Sequence, residues 1–174
     1  MAMNCSPVSP KPQRVNGARS RRRRPGVASF HVDVETLPRD GGAYVLLIAI
    51  VSPVGISLPK RPDVQLAPGQ YLYCGSAYGP GGIRARVARH FRKDKLVRWH
   101  VDRLTVAGRT LGAWVFPGGD ECALVEILNE FPAAMPGFGA SDCRRCASHL
   151  LVGPRDLAQA VWPRFLQSPK GMEG

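Results

Sequence analysis

Three segments of the chain carry apolar patterns that predict β-strands. The run from Ala43 to Val51 is continuously apolar and rich in β-branched residues, which is typical of a strand buried on both faces. Residues 70–75 alternate in the way a strand does, and Leu111 to Pro117 forms a third apolar segment. A shorter strand is predicted over 148–152, so the chain supplies enough strands for one small sheet.

The segments between and after these strands carry helical patterns. Between Ile83 and Phe91 apolar residues recur every four positions, which places them on one face of a helix. Further helices are predicted over 96–106, over 120–131 with Asp120 as the N-cap, and after Pro154. Because helices and strands interleave around only a few strands, we expect an α+β fold, a small mixed or antiparallel sheet flanked by helices.

The first 34 residues differ in composition from the rest. They contain several prolines and the run Arg21 to Arg24, and they show no hydrophobic period. We therefore expect residues 1–34 to form a disordered basic arm and residues 35–174 to form a single domain. Within this domain the folded part is expected to begin near Gly41. A dedicated nucleic-acid arm, an extension that only solubilises, and a misplaced start codon all fit this composition.

Charge and apolar content limit the class of protein. Lys and Arg total 24 against 13 Asp and Glu, a formal net charge of +11, which favours nucleic acid as partner and an acidic membrane surface second. The longest apolar run is far shorter than the roughly 20 residues of a membrane-spanning helix. The five cysteines are odd in number and do not suggest a disulfide framework. We expect a soluble cytoplasmic protein without a membrane partner.

Four segments in order resemble one nuclease superfamily. Gly42-Ala43-Tyr44 at a strand start resembles a GIY element, and Tyr73-Cys74-Gly75 at a strand end resembles YIG. Residues 84–90 match the pattern Arg-x-Arg-x-x-x-His, and an acidic helix follows at 120–126. Over about residues 41 to 152 the chain thus resembles the GIY-YIG nuclease superfamily.

The resemblance is more specific for the Uri-like branch, a domain of unknown function. Its marks lie at 71–77, 98–102 and 136–143. One departure concerns the two tyrosines, which the superfamily usually separates by a short hairpin. The longer separation here predicts an enlarged hairpin between Pro53 and Pro68.

The resemblance implies that Tyr44, Tyr73, Arg86 and His90 are catalytic. One tyrosine would act as general base or orient the attacking water, and Arg86 is the nearby cation that this role needs, because the pKa of free tyrosine is near 10. Helical spacing places Arg86 and His90 on one face beside the apolar stripe, although both could simply face solvent. Tyr71 shares a strand face with Tyr73, and Tyr78 lies nearby, so the sequence does not separate these candidates.

A metal ligand is expected on the acidic helix. Glu121 projects roughly 70° from the centre of the apolar stripe of that helix, whereas Glu126 projects roughly 150° away from it. The resemblance implies one Mg²⁺ or Mn²⁺ ion, and a ligand must lie where protein and phosphate meet. We therefore predict Glu121 as the ligand, with complementation of the helix dipole as its alternative role.

A basic segment over 84–103 is predicted to contact the nucleic-acid backbone. Basic residues with an interleaved aromatic residue suit phosphate binding with some stacking, and a solvated basic surface is the alternative. The expected nucleic-acid ligands are Arg84, Arg89, Arg92, Lys93, Lys95, Arg98, Trp99 and His100.

A Cys/His cluster near the end of the domain has metal-ligand spacing. Cys143 and Cys146 form C-x-x-C, and His149 follows at the next interval of three. A structural zinc ion needs about four ligands, which Cys122 or another histidine would complete. Reduced structural thiols are the first expectation, zinc the second, and redox chemistry lacks its usual βαβ context.

The resemblance and the basic charge together predict a metal-dependent endonuclease of the GIY-YIG type that hydrolyses phosphodiester bonds of nucleic acid, with DNA expected before RNA. The alternatives are a nucleic-acid-binding module without catalysis and a small zinc-stabilised interaction domain.

Overall fold

A computed structural model describes residues 28–58, 61–141 and 143–154. Within these residues the chain forms seven strands and three helices. In chain order they are β1 (Ser29–His31), β2 (Gly42–Ile50), β3 (Val54–Ile56), β4 (Val64–Leu66), β5 (Gly69–Ser76), α1 (Gly82–Phe91), α2 (His100–Ala107), β6 (Arg109–Pro117), α3 (Glu121–Ile127) and β7 (Leu150–Gly153). None of these helices is long and apolar enough to cross a membrane.

Five of the strands form one antiparallel sheet in the order β1-β6-β2-β5-β7. The predicted α+β class is therefore confirmed, and the sheet is antiparallel. Strands β3 and β4, which lie between β2 and β5 in the sequence, form a separate two-stranded sheet. This extra hairpin is the enlargement that the spacing of Tyr44 and Tyr73 predicts.

Strand β2 is central because both of its faces are apolar. Leu46 and Ile48 face a core shared with α1 and α2, whereas Val45 and Leu47 face a second core beneath α3. A strand covered on both sides gains burial from every residue, which explains its unbroken apolar run. The sheet is thus covered by two helices on one face and by α3 on the other.

Strand β1 lies inside the segment predicted to be a disordered arm. Phe30 pairs with Trp114 of β6, and their ring centroids are 4.6 Å apart. The predicted boundary at residue 34 is therefore too late, because residues 29–31 already belong to the sheet. The remainder of the predicted arm, residues 1–27, lies outside the described residues, as does the helix predicted after Pro154.

Helix boundaries differ from the predicted ones at two places. Helix α2 begins at His100 rather than Leu96, and α3 ends at Ile127 rather than Phe131. Phe131 is buried in the second core although the helix has already ended. Its apolar side chain therefore fits the helical pattern in the sequence without being part of the helix. Asp120 is the N-cap of α3 as predicted, and its carboxylate accepts the N–H of Ala123 at 2.9 Å.

Replacing Phe30 with Ala tests whether β1 belongs to the fold. Phe30 is about one-third exposed and covers Gly112 and Trp114, so its loss should lower the free energy of unfolding by about 1–2 kcal/mol. Urea denaturation measures this change. Val32→Ala, at a more exposed position just after β1, is the control and should change stability by less than about 0.5 kcal/mol. Equal stability of F30A and wild type would show that β1 contributes nothing.

Candidate functional site

A cleft of about 540 Å³ brings together residues that are far apart in the sequence. Tyr44 of β2, Tyr73 of β5, Arg86 and His90 of α1 and Glu121 of α3 all line it. These are the four predicted catalytic residues and the predicted metal ligand. The structure therefore places all five around one cavity, which is what a shared chemical role requires.

Two glycines make room for the tyrosine rings. A Cβ atom at Gly75, which pairs with Tyr44 across β2 and β5, would lie 2.4 Å from the Tyr44 ring. Gly139 has φ of +68° and approaches the Tyr73 ring so closely that a Cβ atom there would lie 2.9 Å from it. Both positions exclude a side chain, so the rings are held in place by backbone on one side.

His90 is buried rather than facing solvent. It is 1% exposed, and its Nε2 atom lies 2.9 Å from the Tyr44 hydroxyl oxygen. The alternative that Arg86 and His90 are ordinary surface residues is thus wrong for His90, while Arg86 is partly buried. A buried imidazole bonded to a tyrosine hydroxyl forms a path for a proton into the protein.

Burial keeps both tyrosines in the phenol form. Burial raises the pKa of Tyr44 well above its usual value, and Tyr73 adds to this, while the Arg86 guanidinium opposes it. The pKa of Tyr73 is raised for the same main reason. Arg86 is therefore the cation that the sequence predicted, but its charge does not outweigh burial. Neither tyrosine is a phenolate at neutral pH, so any base function needs a proton acceptor.

His90 is a neutral acceptor. Burial, assisted by the charge of Lys95, lowers the pKa of His90 to about 3, although Asp102 opposes the shift. The imidazole is therefore uncharged near neutral pH and carries one free ring nitrogen. Asp102, which lies 3.8 Å from the other ring nitrogen, was not predicted as a site residue. Its position in the first turn of α2 indicated no more than a helix cap.

The two glutamates of α3 have different surroundings. Glu121 is partly buried at the cleft and makes no hydrogen bond or ion pair with any described residue. Glu126 is exposed and bonds to the Arg145 guanidinium at 2.8 Å. Glu121 therefore lies nearer the buried face of α3 than Glu126, as their positions around the helix predicted. Of the two glutamates, Glu121 is the one that lines the cleft.

The predicted nucleic-acid ligands fall into two groups, of which the first is made up of residues that line the cleft or are exposed. Arg98, Trp99 and His100 line it, and Arg92 is exposed after α1. Trp99 is 38% exposed, and the Arg86 guanidinium carbon lies 4.3 Å from its ring centroid. This group presents cations and an aromatic surface to a ligand.

The second group makes contacts within the protein. Arg84 pairs with Glu35 at 2.8 Å, and Arg89 bonds to Asp102 at 2.7 Å. Lys93 donates to the carbonyls of Thr105, Val106 and Gly108. Lys95 is 1% exposed in its side chain and donates to the Thr105 hydroxyl at 2.7 Å. Arg84, Arg89, Lys93 and Lys95 thus have partners within the protein, and their predicted phosphate contacts stay predictions.

The other tyrosines considered from the sequence are engaged elsewhere. The Tyr71 hydroxyl donates to the Ala67 carbonyl at 2.7 Å, and that of Tyr78 donates to the Gly119 carbonyl at 2.8 Å. Neither of these two residues lines the cleft, so Tyr73 is the tyrosine of β5 that lines it.

Cys122, Cys143, Cys146 and His149 form a cluster that could hold a metal ion. Their ligand atoms all lie within 4.8 Å of one another, and the Sγ atoms of Cys122 and Cys143 are 3.5 Å apart. Three cysteines and one histidine are a ligand set that zinc uses. Cys122, from the start of α3, is the fourth candidate ligand of this cluster, as the sequence allowed.

The backbone around Cys143 favours its thiolate. The N–H groups of Arg145 and Cys146 point at its Sγ atom, at 3.4 and 3.3 Å. The Arg145 bond is the main reason that the pKa of Cys143 is lowered to about 6, since hydrogen bonds to the charged form stabilise it. Metal ions bind the thiolate, so this loop is suited to a metal ligand.

The fold and the site define a small α+β domain with a polar cleft and a Cys/His cluster. Residues 43–166 match the family model described as "Domain of unknown function DUF123", so the chain belongs to the DUF123 family. None of the curated proteins and none of the solved structures matches the chain.

Stability at low pH tests the burial of His90. Its pKa of about 3 in the folded protein lies below the ordinary 6.5, so the unfolded chain binds an extra proton between these values. Stability should be intact above pH 6.5 and fall as the pH drops, by about 2 kcal/mol at pH 5 from this residue. In His90→Gln, urea denaturation at pH 7 and 5 should show a correspondingly smaller loss. An equal loss in both proteins would contradict the buried neutral imidazole.

Proposed function

We propose that the protein is a metal-dependent endonuclease of the GIY-YIG type that hydrolyses phosphodiester bonds of nucleic acid. The observation that carries this proposal is the convergence of Tyr44, Tyr73, Arg86, His90 and Glu121, from four separate elements, on one cleft. They supply a proton acceptor, a cation for the phosphate and a carboxylate for a metal ion. DNA is the first substrate to test and RNA the second.

Arg86 would bind the scissile phosphate. Its guanidinium lies at the cleft beside Trp99, and a guanidinium pairs with two phosphate oxygens at once. The same contact would strengthen as negative charge grows on the phosphoryl oxygens during attack. Arg98 and His100 at the cleft, and the Trp99 ring, would hold the neighbouring nucleotides.

Tyr44 and His90 would remove the proton from the attacking water. The water proton passes to the Tyr44 oxygen while the phenol proton passes to Nε2 of His90, 2.9 Å away. The water oxygen then bonds to phosphorus, and the bond from phosphorus to the leaving oxygen breaks with its electron pair. The leaving oxygen takes a proton from solvent, and His90 returns its proton through Tyr44. Tyr73, at 6.5 Å between ring centroids from Tyr44, would orient the water.

Glu121 fits a single Mg²⁺ or Mn²⁺ ion. Mg²⁺ is usually bound through one or two carboxylates together with substrate phosphates and water, and Glu121 is a carboxylate beside the proposed phosphate site that no described residue pairs with. When bound, such an ion polarises a phosphoryl oxygen and stabilises the leaving oxygen.

Replacing Glu121 with Gln should abolish Mg²⁺-dependent cleavage of plasmid or oligonucleotide DNA, by at least about a hundredfold. Glu126→Gln on the same helix is the matched control and should cleave like wild type, because Glu126 is exposed, pairs with Arg145 and does not line the cleft. Unfolding midpoints of both variants show whether the fold is kept. Binding of DNA without cleavage by wild type, with and without Mg²⁺ or Mn²⁺, would instead establish a binding module and reject the enzyme.

We further propose that the Cys/His cluster binds Zn²⁺ with a structural role. Around a tetrahedral zinc ion with sulfur ligands at ~2.3 Å, neighbouring ligand atoms are about 3.8 Å apart. The observed separations of 3.5 Å between Cys122 and Cys143 and 4.0 Å between Cys122 and His149 are close to this value. Four protein ligands leave no open position, which is typical of a structural zinc ion.

Metal analysis tests this proposal. The full chain should contain one zinc ion per molecule, and chelation should lower its unfolding midpoint by more than about 5 °C. Cys143→Ser should lose the metal. Cys74→Ala is the control, because Cys74 is a buried thiol outside the cluster, and it should keep the metal. Substoichiometric zinc after refolding with excess Zn²⁺ would assign the cluster to reduced thiols.

A further inference from the structure

Asp102 has two carboxylate oxygens with different surroundings, although the residue is completely buried. Its Oδ2 atom accepts three hydrogen bonds, from the backbone N–H groups of Arg98 at 2.9 Å and Trp99 at 3.1 Å, and from the Arg89 guanidinium at 2.7 Å. The two backbone bonds cap the start of α2. Capping and ion pairing therefore account for one oxygen of this carboxylate.

The other oxygen points at His90. Oδ1 of Asp102 lies 3.8 Å from Nδ1 of His90, and both atoms are buried without a hydrogen bond to any described residue. Lys95 is the further charge beside Oδ1, with its Nζ at 3.6 Å. Buried polar atoms are rarely left without a partner, and Oδ1 is the carboxylate oxygen within reach of Nδ1, which it faces together with the Lys95 ammonium. Hydrogen bonds of this kind are often long without substrate and shorten when it binds.

The three side chains form a row that ends at the cleft. Asp102 faces Nδ1 of His90, and Nε2 of His90 lies 2.9 Å from the hydroxyl of Tyr44, which lines the cleft. A neutral imidazole has one N–H and one free nitrogen, and the surroundings decide which is which. A carboxylate beside Nδ1 favours the proton on Nδ1, because that N–H can then donate to the carboxylate.

We propose that Asp102 is a positioning residue that holds the proton of His90 on Nδ1, so that Nε2 accepts the hydrogen bond from Tyr44. The inference rests on the proposed nuclease function and deepens it. With Nε2 as acceptor, Tyr44 can pass its proton inward and its oxygen can receive one from water. With the opposite tautomer, Nε2–H would donate to Tyr44, and the proton route would be closed.

Asp102 also stabilises the charged state that follows. When Tyr44 passes its proton to His90, an imidazolium forms in a buried site that otherwise disfavours it. The Asp102 carboxylate is ionised: burial alone would raise its pKa, but the N–H groups of Arg98 and Trp99 and the Arg89 guanidinium together lower it. A carboxylate next to the imidazolium, together with the negative charge of a bound phosphate, offsets the cost of burial.

Asp102→Asn separates this role from capping. Three donors converge on the Oδ2 position, so the asparagine must place its single oxygen there. Its NH₂ group then faces Nδ1 of His90, which becomes the acceptor, and the imidazole proton moves to Nε2. The variant thus keeps the helix cap and reverses the tautomer.

Nitrogen-15 NMR of His90 at pH 7, in the protein without added Mg²⁺ or Mn²⁺, reads the tautomer directly. We expect the wild type to carry the proton on Nδ1 and D102N to carry it on Nε2, with DNA cleavage in D102N reduced at least tenfold and DNA affinity unchanged. Asp120→Asn is the matched control, because it alters the corresponding cap of α3, and it should leave the His90 tautomer as in wild type.

Several outcomes would overturn the inference. A wild-type His90 protonated on Nε2 would do so by itself, even if D102N failed to fold. A D102N variant with the wild-type tautomer, or with the reversed tautomer and full cleavage, would also do so. A wild type that cleaves no nucleic acid while His90 is protonated on Nδ1 would instead refute the proposed function and leave the Asp102–His90 placement supported.

Discussion

The burial of three polar side chains between β2, α1 and α2 is the constraint on which the rest of the structure depends. Tyr44, His90 and Asp102 are each at most 2% exposed. A buried polar group without a partner costs about 1–3 kcal/mol, so these side chains need partners: Tyr44 has Nε2 of His90 at 2.9 Å, and Asp102 has the Arg89 guanidinium at 2.7 Å. The helices cannot shift relative to the sheet without breaking these contacts. The Arg89 and Lys95 side chains form ion pairs with Asp102, which explains why these two basic residues face inward.

The same constraint divides the cleft into two chemical halves. On the side of α1 and α2, a dry interior keeps His90 neutral and Tyr44 protonated, so protons can move there without a permanent charge. On the side of α3, Glu121 is partly exposed and free of ion pairs among the described residues. Arg86 also lines the cleft. An anionic substrate would thus contact a cation, a proton acceptor and a carboxylate for a metal ion at once.

Much of the fold could be predicted from the sequence because its central elements are strongly patterned. The apolar run of β2 and the four-residue spacing of α1 required no tertiary information. Strand β1 could not be found in this way, since three residues carry no clear period and gain their stability by pairing with β6. The site was predictable to the level of residue types. Whether Lys93 and Lys95 face phosphate or backbone carbonyls depends on where α2 packs, which charge alone does not reveal.

Asp102 and Cys122 show why the remaining site residues escaped a firm assignment. In sequence, Asp102 is a helix-cap residue and Cys122 is one apolar position on a helix, and the second role proposed for each depends on contacts with an element distant in the chain. Cys122 directly follows Glu121 in the first turn of α3. A metal ion bound by the cluster would therefore tie this turn to the loop that carries Cys143 and His149. Because a rigid first turn fixes the direction of both neighbouring side chains, the cluster would also hold the Glu121 carboxylate at the cleft. The Cys/His cluster and the cleft are thus two parts of one arrangement around the start of α3.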